Sequence, residues 1–210
     1  ISNLSQKDIT YAEELGYKIK LLGIAKSQNA DVEIRVHPTL VPKNRLVANV
    51  DGAMNAVLVH GNMVGPTLYY GAGAGAEPTA SAVVADVIDI ARQTKLSQNT
   101  LIPSLGFMPD KINEKNILSI ENIISEYYLR FTMKNQAGLL AKITNIFADH
   151  DISINSMVHK EVQENNQNPD IFLITSKTKE ADIDTIISEI ELLPENTEKV
   201  VKIRTEELNK

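Results

Sequence analysis

The densest chemical signal in the sequence is a run at residues 71–75, which reads Gly-Ala-Gly-Ala-Gly and precedes Glu77, Pro78 and Thr79. Glycine lets a backbone approach a ligand closely, and the start of a following helix offers unpaired N–H groups and a partial positive charge. The run therefore indicates a backbone cradle for a cofactor or another ligand. The alternative is that small residues merely permit a tight turn from strand to helix, and the run alone leaves both interpretations open.

The spacing within residues 71–75 differs from the two common nucleotide-binding motifs. It does not match G-x-G-x-x-G, and the strand before it belongs to a predicted hairpin, not to the start of a βαβ unit. No Gly-Lys-Ser or Gly-Lys-Thr follows, as a P-loop requires. Neither motif is therefore predicted here.

The composition excludes several other kinds of chemistry. The 210 residues contain no cysteine, so no thiol nucleophile, disulfide framework or cysteine-based metal cluster is expected. His150 and His159 lie on different predicted elements, and no metal site is expected. A net charge of −6 argues against nucleic acid as a partner. Because no apolar run approaches the roughly 20 residues of a membrane helix, we expect a soluble cytoplasmic protein with no membrane partner.

Hydrophobic periodicity predicts the elements around the glycine run. Ser5 and Asp8 resemble a capping box, and Gly16 suits the position after a helix C-terminus. Within 31–41, apolar residues at 32, 34 and 36 alternate with charged ones, which predicts a buried apolar side and a wet charged side. The predicted elements are a helix over 6–16, a hairpin of strands 18–26 and 31–41 with a turn over 27–30, a hairpin of strands 55–60 and 65–70, and a helix over 79–92.

The second half has a βαββαβ pattern. This order predicts a ferredoxin-like fold, in which two helices pack on one face of a four-stranded antiparallel sheet. Leu129 and Phe131 alternate with Arg130 and Thr132, which predicts an apolar and a polar side for the first strand. The predicted elements are strand 128–132, a turn over 135–138, helix 139–150, strand 152–163, a disordered polar loop over 165–170, strand 171–177, helix 181–193 and strand 200–205.

The fold class is thus mixed α/β or α+β, with a partial mixed sheet and helices followed by a ferredoxin-like domain. Residues 93–124 contain Pro103, Gly106 and Pro109 without a clear period, which predicts a linker between domains at 1–92 and 125–208. A ferredoxin-like fold alone leaves metal, RNA and amino-acid binding open. The acidity of this half and the lack of an aromatic-rich RNA-binding strand argue against RNA.

Three segments of the first half resemble homoserine dehydrogenase. They are Val-Asp-Gly-Ala-Met-Asn-Ala-Val-Leu-Val at 50–59, Tyr-Gly-Ala-Gly-Ala-Gly at 70–75 and Pro-Thr-Ala-Ser-Ala-Val-Val-Ala-Asp-Val at 78–87. They correspond to the later part of that family's substrate domain, and residues 11–23 fit the same order. The resemblance implies NAD(P)-dependent interconversion of L-homoserine and L-aspartate 4-semialdehyde, a step of threonine and methionine biosynthesis.

The same resemblance implies a role for the glycine run. In this family the run approaches the nicotinamide end of NADP or NAD, and Gly75 is the best match to a backbone position that contacts the cofactor. Gly71 and Gly73 belong to the same cradle, and Glu77 and Thr79 flank the cofactor at the helix start.

The departures from the family pattern concern the catalytic machinery. The 210 residues contain neither the family's G-x-G-x-x-G segment nor its D-x-x-G-x-D-x-x-x-K stretch with the catalytic aspartate and lysine. The first residue is Ile1, not Met. We therefore expect a C-terminal fragment that holds no catalytic residue and is inactive by itself.

Asn-Gln-Ala-Gly-Leu-Leu-Ala at 135–141, followed by Ile-Ser-Ile at 152–154, resembles the ACT domain, a regulatory module of amino-acid metabolism. Gly138 frees the backbone at a helix N-terminus, whose N–H groups can hold a carboxylate, and Asn135 offers a donor and an acceptor. The resemblance implies L-threonine as effector, with Ser153 and Asn155 close to this loop. The implied effector residues are Asn135, Ala137, Gly138, Leu139, Ser153 and Asn155.

Two alternatives remain open at this stage. Asn135 could be only a turn residue and Gly138 only a steric necessity, particularly because the loop reads Asn-x-Ala-Gly where Asp-x-Pro-Gly is commoner. The whole chain could also be a stand-alone amino-acid-binding or dimerisation module without catalysis. Under either function, the paired ACT domains and the substrate-domain sheet of the family imply a homodimer or homotetramer.

Overall fold

The computed structural model describes residues 4–28, 31–95, 103, 105–160 and 168–208. The chain forms two compact units, of which one comprises residues 1–48 and 116–209 (the sheet unit) and the other residues 49–115 (the hairpin unit). Four predicted segments lie partly outside the described residues. They are the turn at 27–30, the linker at 93–124, the strand at 152–163 and the loop at 165–170.

The sheet unit is built on a mixed sheet whose main path runs β1-β2-β10-β6-β8-β7. β6, β8, β7 and β10 with helices α3 and α4 form the βαββαβ arrangement, which confirms the predicted ferredoxin-like plan. The β1–β2 hairpin extends this sheet, because β2 pairs with β10 in parallel. The elements are α1 (Gln6–Glu14), β1 (Tyr17–Gln28), β2 (Asp31–Pro42), β5 (Asn116–Ile117), β6 (Ile124–Thr132), α3 (Leu139–Asp149), β7 (Ile154–Lys160), β8 (Asp170–Thr175), β9 (Thr178–Lys179), α4 (Glu180–Glu191) and β10 (Val201–Thr205).

Each face of the sheet has its own hydrophobic core, because successive strand residues point to opposite faces. Tyr127 belongs to the core formed with α3 and α4, whereas its neighbour Tyr128 belongs to a second core formed with α1. In the second core the ring of Tyr11 stacks on that of Phe172 at 4.4 Å between centroids. The sheet is therefore covered by two helices on one face and by α1 on the other.

The predicted start of α1 is confirmed, and its local chemistry follows the capping box. The Asp8 carboxylate accepts hydrogen bonds from the Ser5 N–H at 2.9 Å and from the Ser5 hydroxyl at 2.8 Å. Gly16, two residues beyond the helix, has φ +86, a left-handed conformation that glycine adopts without strain.

The predicted sides of β2 are wrong. Glu33 and Arg35 are buried, whereas Ile34 and Val36 are exposed. The burial of charge is possible because Nη2 of Arg35 lies 2.8 Å from Oε1 of Glu33 and 2.9 Å from Oε2 of Glu206. Ion pairing across distant segments thus outweighs the alternation pattern.

The hairpin unit contains a two-stranded antiparallel sheet and one long helix. Its elements are β3 (Met54–Gly61), β4 (Gly65–Ala72) and α2 (Ala76–Gln93), which confirms the predicted hairpin and extends the predicted helix at its N-terminus by three residues. No residue of α2 is buried, although its sequence has an apolar side. Among the described helices of the chain, none is long and apolar enough to span a bilayer.

Candidate functional site

The glycine run connects β4 to α2 in the hairpin unit. Gly71 lies in β4 opposite Asn55, and the N–H of Gly73 donates to the carbonyl of Ala53 at 3.0 Å. Gly75 is the N-cap of α2. The run therefore occupies the strand-to-helix connection that the sequence predicts.

Two of the three glycines have a steric reason to be glycine. Gly75 has φ 127 and ψ 153, a region that is accessible essentially only to glycine. A Cβ on Gly73 would lie 1.5 Å from Nδ2 of Asn55, whereas a Cβ on Gly71 would meet nothing within 4 Å. The shape of the backbone at 73 and 75 thus depends on glycine, and the shape at 71 does not.

Glu77 and Thr79 lie in the first turn of α2. The hydroxyl and N–H of Thr79 both donate to the carbonyl of Gly75, at 2.7 Å and 3.2 Å. Ala76 and Glu77 precede Thr79, whose N–H makes the first bond of the helix, so their N–H groups can donate to a ligand, whereas Pro78 has no N–H. Glu77 places a negative charge at the same end, which opposes a phosphate. A neutral acceptor, such as a carboxamide oxygen, suits this loop better.

The loop at 135–138 leads into α3. Asn135 and Ala137 are exposed, and Gly138 is the N-cap of the helix with φ +85. Leu139 is buried in the core, and its N–H donates to the carbonyl of Gln136 at 3.2 Å. The side chain of Asn135 is thus open to a ligand, whereas the side chain of Leu139 is committed to packing.

Ser153 and Asn155 lie at the other end of the sheet. The N–H of Ser176 donates to the Ser153 carbonyl at 2.8 Å, and Nδ2 of Asn155 donates to the Thr175 carbonyl at 3.2 Å. Thr175 ends β8, and the loop at 135–138 follows the part of β6 that pairs with the beginning of β8. The six-residue length of β8 therefore separates the two groups.

The expectation that Ser153 and Asn155 lie close to this loop in the fold is wrong. The reason is the course of the chain, because α3 runs back along the sheet between the loop and β7. The six predicted effector residues therefore form two separate groups. Four of them lie in and just after the loop (Asn135, Ala137, Gly138 and Leu139), and the other two are Ser153 and Asn155. Their role in binding an effector remains a prediction.

A buried ion network that the sequence analysis missed joins α1 to the sheet. Nε of Arg130 donates to Oδ1 of Asp8 at 2.7 Å, and Nη1 of Arg130 lies 3.6 Å from Oδ1 of Asp170. The hydroxyl of Thr132 donates to Asp170 at 2.8 Å, and the hydroxyl of Tyr11 donates to the same carboxylate at 3.2 Å. Arg130 and Thr132 lie on the predicted polar side of β6, opposite Leu129 and Phe131, and that side is buried.

The network shifts the pKa values of its members. Burial alone would raise the pKa of Asp8, but hydrogen bonds from Arg130 and Ser5 outweigh it and hold that pKa below its ordinary value. Burial, with the nearby Asp170 carboxylate, raises the pKa of Tyr11 to about 12. Asp8 is therefore ionised and Tyr11 neutral throughout the physiological range.

A second buried cluster of charged side chains lies on the opposite face of the sheet, around Glu180. Glu180 accepts a hydrogen bond from the hydroxyl of Tyr127 at 2.8 Å and from Nε of Arg204 at 2.7 Å, and it also pairs with Lys202. Burial would raise the pKa of Glu180, but Arg204 and Lys202 lower it. Asp8 and Glu180 are both acidic residues in the first turn of a helix. This position is the one sequence signal that pointed to the two buried carboxylates.

Each half of the chain matches a known family model. Residues 1–88 match the family model of homoserine dehydrogenase, and residues 127–195 match that of the ACT domain. Homoserine dehydrogenases from Pseudomonas aeruginosa and Neisseria gonorrhoeae are 46% and 47% identical to the chain over 209 residues, which is 100% of the chain and 48% of each relative.

A solved structure supports the same assignment. The chain is 52% identical to a homoserine dehydrogenase from Thiobacillus denitrificans, with a TM-score of 0.89 over 100% of the chain and 47% of that protein. A homoserine dehydrogenase from S. aureus is 28% identical, with a TM-score of 0.65. The chain spans about half the length of the curated relatives it matches, and that half is their C-terminal half.

Proposed function

Because residues 1–88 of the chain belong to the homoserine dehydrogenase family and residues 127–195 form an ACT domain, we propose that the chain supplies the cofactor-facing loop and the regulatory domain of a homoserine dehydrogenase. The reaction is the NAD(P)-dependent interconversion of L-homoserine and L-aspartate 4-semialdehyde. The observation that carries this proposal is the glycine loop at the start of α2, where position 75 has a backbone conformation reserved for glycine.

Within this function the loop contacts the nicotinamide end of NADP or NAD. The N–H groups of Ala76 and Glu77 would donate to the carboxamide oxygen of the nicotinamide, and the Glu77 carboxylate disfavours the binding of the phosphates at the same place. Gly73 and Gly75 allow the backbone conformation of the loop, and Gly71 lies in the part of β4 that leads into it. The hydroxyl and N–H of Thr79 hold the Gly75 carbonyl by hydrogen bonds. The dinucleotide supplies hydride transfer, and these residues orient its reactive ring.

The chain is proposed to be inactive by itself, because its sequence has neither G-x-G-x-x-G nor D-x-x-G-x-D-x-x-x-K. A chimera tests this, with the N-terminal half of the Thiobacillus denitrificans relative joined to the chain. We expect homoserine-dependent reduction of NADP or NAD by the chimera and none by the chain alone. A chimera that folds and binds cofactor but has no activity would contradict the proposal.

The ACT domain is proposed to bind L-threonine as a feedback effector. Asn135, with backbone groups of Ala137, Gly138 and Leu139, forms one part of the site on one protomer. Ser153 and Asn155 lie at the other end of the same sheet, so they belong to that site only as residues of a second copy of the chain. Titration calorimetry with millimolar L-threonine tests the binding, and we expect heat and a rise in the unfolding temperature. Asn135→Ala is expected to weaken both, and an absence of heat and of any thermal shift would refute the proposal.

The remaining proposals concern organisation. We propose domains at 1–92 and 125–208 with a linker at 93–124, a homodimer or homotetramer, and a cytoplasmic location. The alternative function is an amino-acid-binding or dimerisation module without catalysis, which the ACT match by itself favours. The chimera separates the two, because only the enzyme proposal requires activity from it.

A further inference from the structure

The side chain of Asn55 leans toward the glycine run. Asn55 lies in β3 and pairs with Gly71 of β4, and a further bond joins the N–H of Gly73 to the carbonyl of Ala53 at 3.0 Å. A Cβ on Gly71 would meet nothing within 4 Å, whereas a Cβ on Gly73 would overlap the Asn55 amide and lie 3.1 Å from the Cβ of Asn55. The side chain therefore points diagonally across the two strands, toward the residue at which the chain leaves the hairpin.

This contact explains why position 73 requires glycine. Gly73, unlike Gly75, does not have a φ in the left-handed region, so its φ does not by itself demand glycine. The space that a Cβ at position 73 would need is occupied by the amide group of Asn55. The two positions are therefore matched to each other, because the glycine leaves room and the asparagine fills it.

Among the described residues, packing of α2 does not hold the glycine run in place. No residue of α2 is buried, so the helix does not anchor the segment before it. The run reaches the Gly75 N-cap two residues after Gly73, which is at most about 7 Å of extended chain. The direction in which the chain leaves Gly73 therefore governs where the N–H groups of Ala76 and Glu77 point. Those N–H groups are the proposed donors to the nicotinamide carboxamide.

We propose that Asn55 is a positioning residue of the cofactor loop and that it acts through Gly73. Its side chain packs against the Gly73 backbone and limits the directions in which the run can leave β4, which keeps the donors of Ala76 and Glu77 aimed at the nicotinamide. A loop that is ordered before its ligand arrives binds more tightly, because less entropy is lost on association. The inference rests on the proposed function, since it concerns the same loop. The role requires no contact between Asn55 and the dinucleotide.

Hydrogen exchange in the chain itself tests the contact. The hydrogen-bonded N–H groups of Gly73 and Thr79 report on the run and on the helix start. Asn55→Ala removes the amide group and is expected to speed exchange at both positions, because the run loses the side chain that restrains it. The matched control is Asn62→Ala, which changes an exposed asparagine in the turn at the other end of the hairpin. Unchanged exchange at both positions in Asn55→Ala overturns the proposal.

Dinucleotide binding tests the consequence for the cofactor, in the chimera with the Thiobacillus denitrificans N-terminal half. Titration calorimetry with NADP and NAD is expected to show roughly threefold or more weaker binding by Asn55→Ala and no change in Asn62→Ala. Asn55→Leu should restore most of the affinity, because leucine has the same branching and the same number of side-chain heavy atoms. Circular dichroism confirms the folding of each variant. Wild-type affinity in Asn55→Ala, or no restoration in folded Asn55→Leu, overturns the positioning role.

A double variant that combines Asn55→Ala with Gly73→Ala tests whether the two residues act together. Gly73→Ala alone should weaken dinucleotide binding, because its Cβ overlaps the Asn55 amide, and it should cost little when position 55 is alanine. An equal cost in both backgrounds overturns the proposal. A folded wild-type chimera that binds neither NADP nor NAD contradicts the proposed function together with this inference. Dinucleotide binding that is insensitive to position 55 contradicts the inference alone.

Discussion

The Arg130 guanidinium joins carboxylates from distant parts of the chain. It contacts Asp8 of α1 and Asp170 of β8, and both carboxylates are completely buried. Replacing one partner of a buried ion pair leaves uncompensated charge, which costs about 3–5 kcal/mol. Arg130 is the cation that contacts both carboxylates, and Lys7 gives Asp170 a second cationic partner at 3.0 Å.

Arg130→Met is therefore expected to lower the free energy of unfolding of the sheet unit by about 3–5 kcal/mol, because it removes the cation between two buried acids. Urea unfolding followed by circular dichroism measures the change. The control is Glu189→Gln, which breaks the exposed pair with His150 and is expected to cost less than about 1 kcal/mol. Equal effects of the two substitutions would show that Arg130 is not a central ion-pair partner.

The lowered pKa of Asp8 leads us to expect that the protein loses stability in acid. Its pKa is lowered in the folded state, so its contribution is fully present above the unfolded-state value of about 3.9 and is lost as the pH falls through the lower folded value. The stability difference between the wild type and Asp8→Asn should shrink as the pH falls from about 5 to about 2. Thermal unfolding across this range measures it, and a difference independent of pH would contradict the argument.

The glycine run gives a graded prediction for cofactor binding. In the active chimera, Gly75→Ala imposes a conformation that costs about 1–3 kcal/mol, so the KM for the nicotinamide cofactor should rise roughly five- to hundredfold. Gly71→Ala is the control, because its Cβ meets open space. An unchanged cofactor KM in Gly75→Ala would mean that the loop does not contact the cofactor.

At the scale of elements, periodicity predicted the helices and strands whose burial is decided locally. α3 and α4 were predicted because isoleucine, leucine and phenylalanine recur at helical spacing and face one core. The buried and exposed sides of β2 were predicted wrongly, and the burial of the polar side of β6 was not predicted, because Arg35 and Arg130 are buried by partners far away in sequence. A strand pattern contains no information about such partners.

The packing of α1 on the sheet is an element-scale feature that mutation can isolate. Ala12 is 1% exposed in the core that α1 shares with Phe172. Ala12→Leu overfills this space at a cost of about 1–3 kcal/mol, and the same change at the exposed Ala141 of α3 is the control. Hydrogen exchange should show faster exchange in α1 for Ala12→Leu alone, and equal protection in both variants would contradict the packing.

At the scale of the whole molecule, the sheet unit joins segments that are distant in sequence. β2 pairs with β10, and α1 shares ion pairs with β6 and β8. The ferredoxin-like plan was predictable because its elements are consecutive, whereas the β1–β2 extension was not, because parallel pairing over such a separation leaves no local signal. The predicted effector residues illustrate the same limit, since their types were identified but their separation along β8 was not.

The helix α2 provides a whole-molecule prediction about self-association. Its Val83, Val84 and Val87 are all more than half exposed, and apolar surface of this kind is normally covered in a partner interface. If the proposed homo-oligomer covers α2, Val87→Asp should weaken self-association in sedimentation experiments. The hydrogen-exchange protection of α2 should then rise with protein concentration in the wild type but not in the variant. Leu192→Asp, at an exposed position of the sheet unit, is the control. Self-association that is the same in wild type and Val87→Asp would show that the oligomer uses another surface, because a charge at the centre of a covered valine cluster cannot be accommodated without loss of affinity.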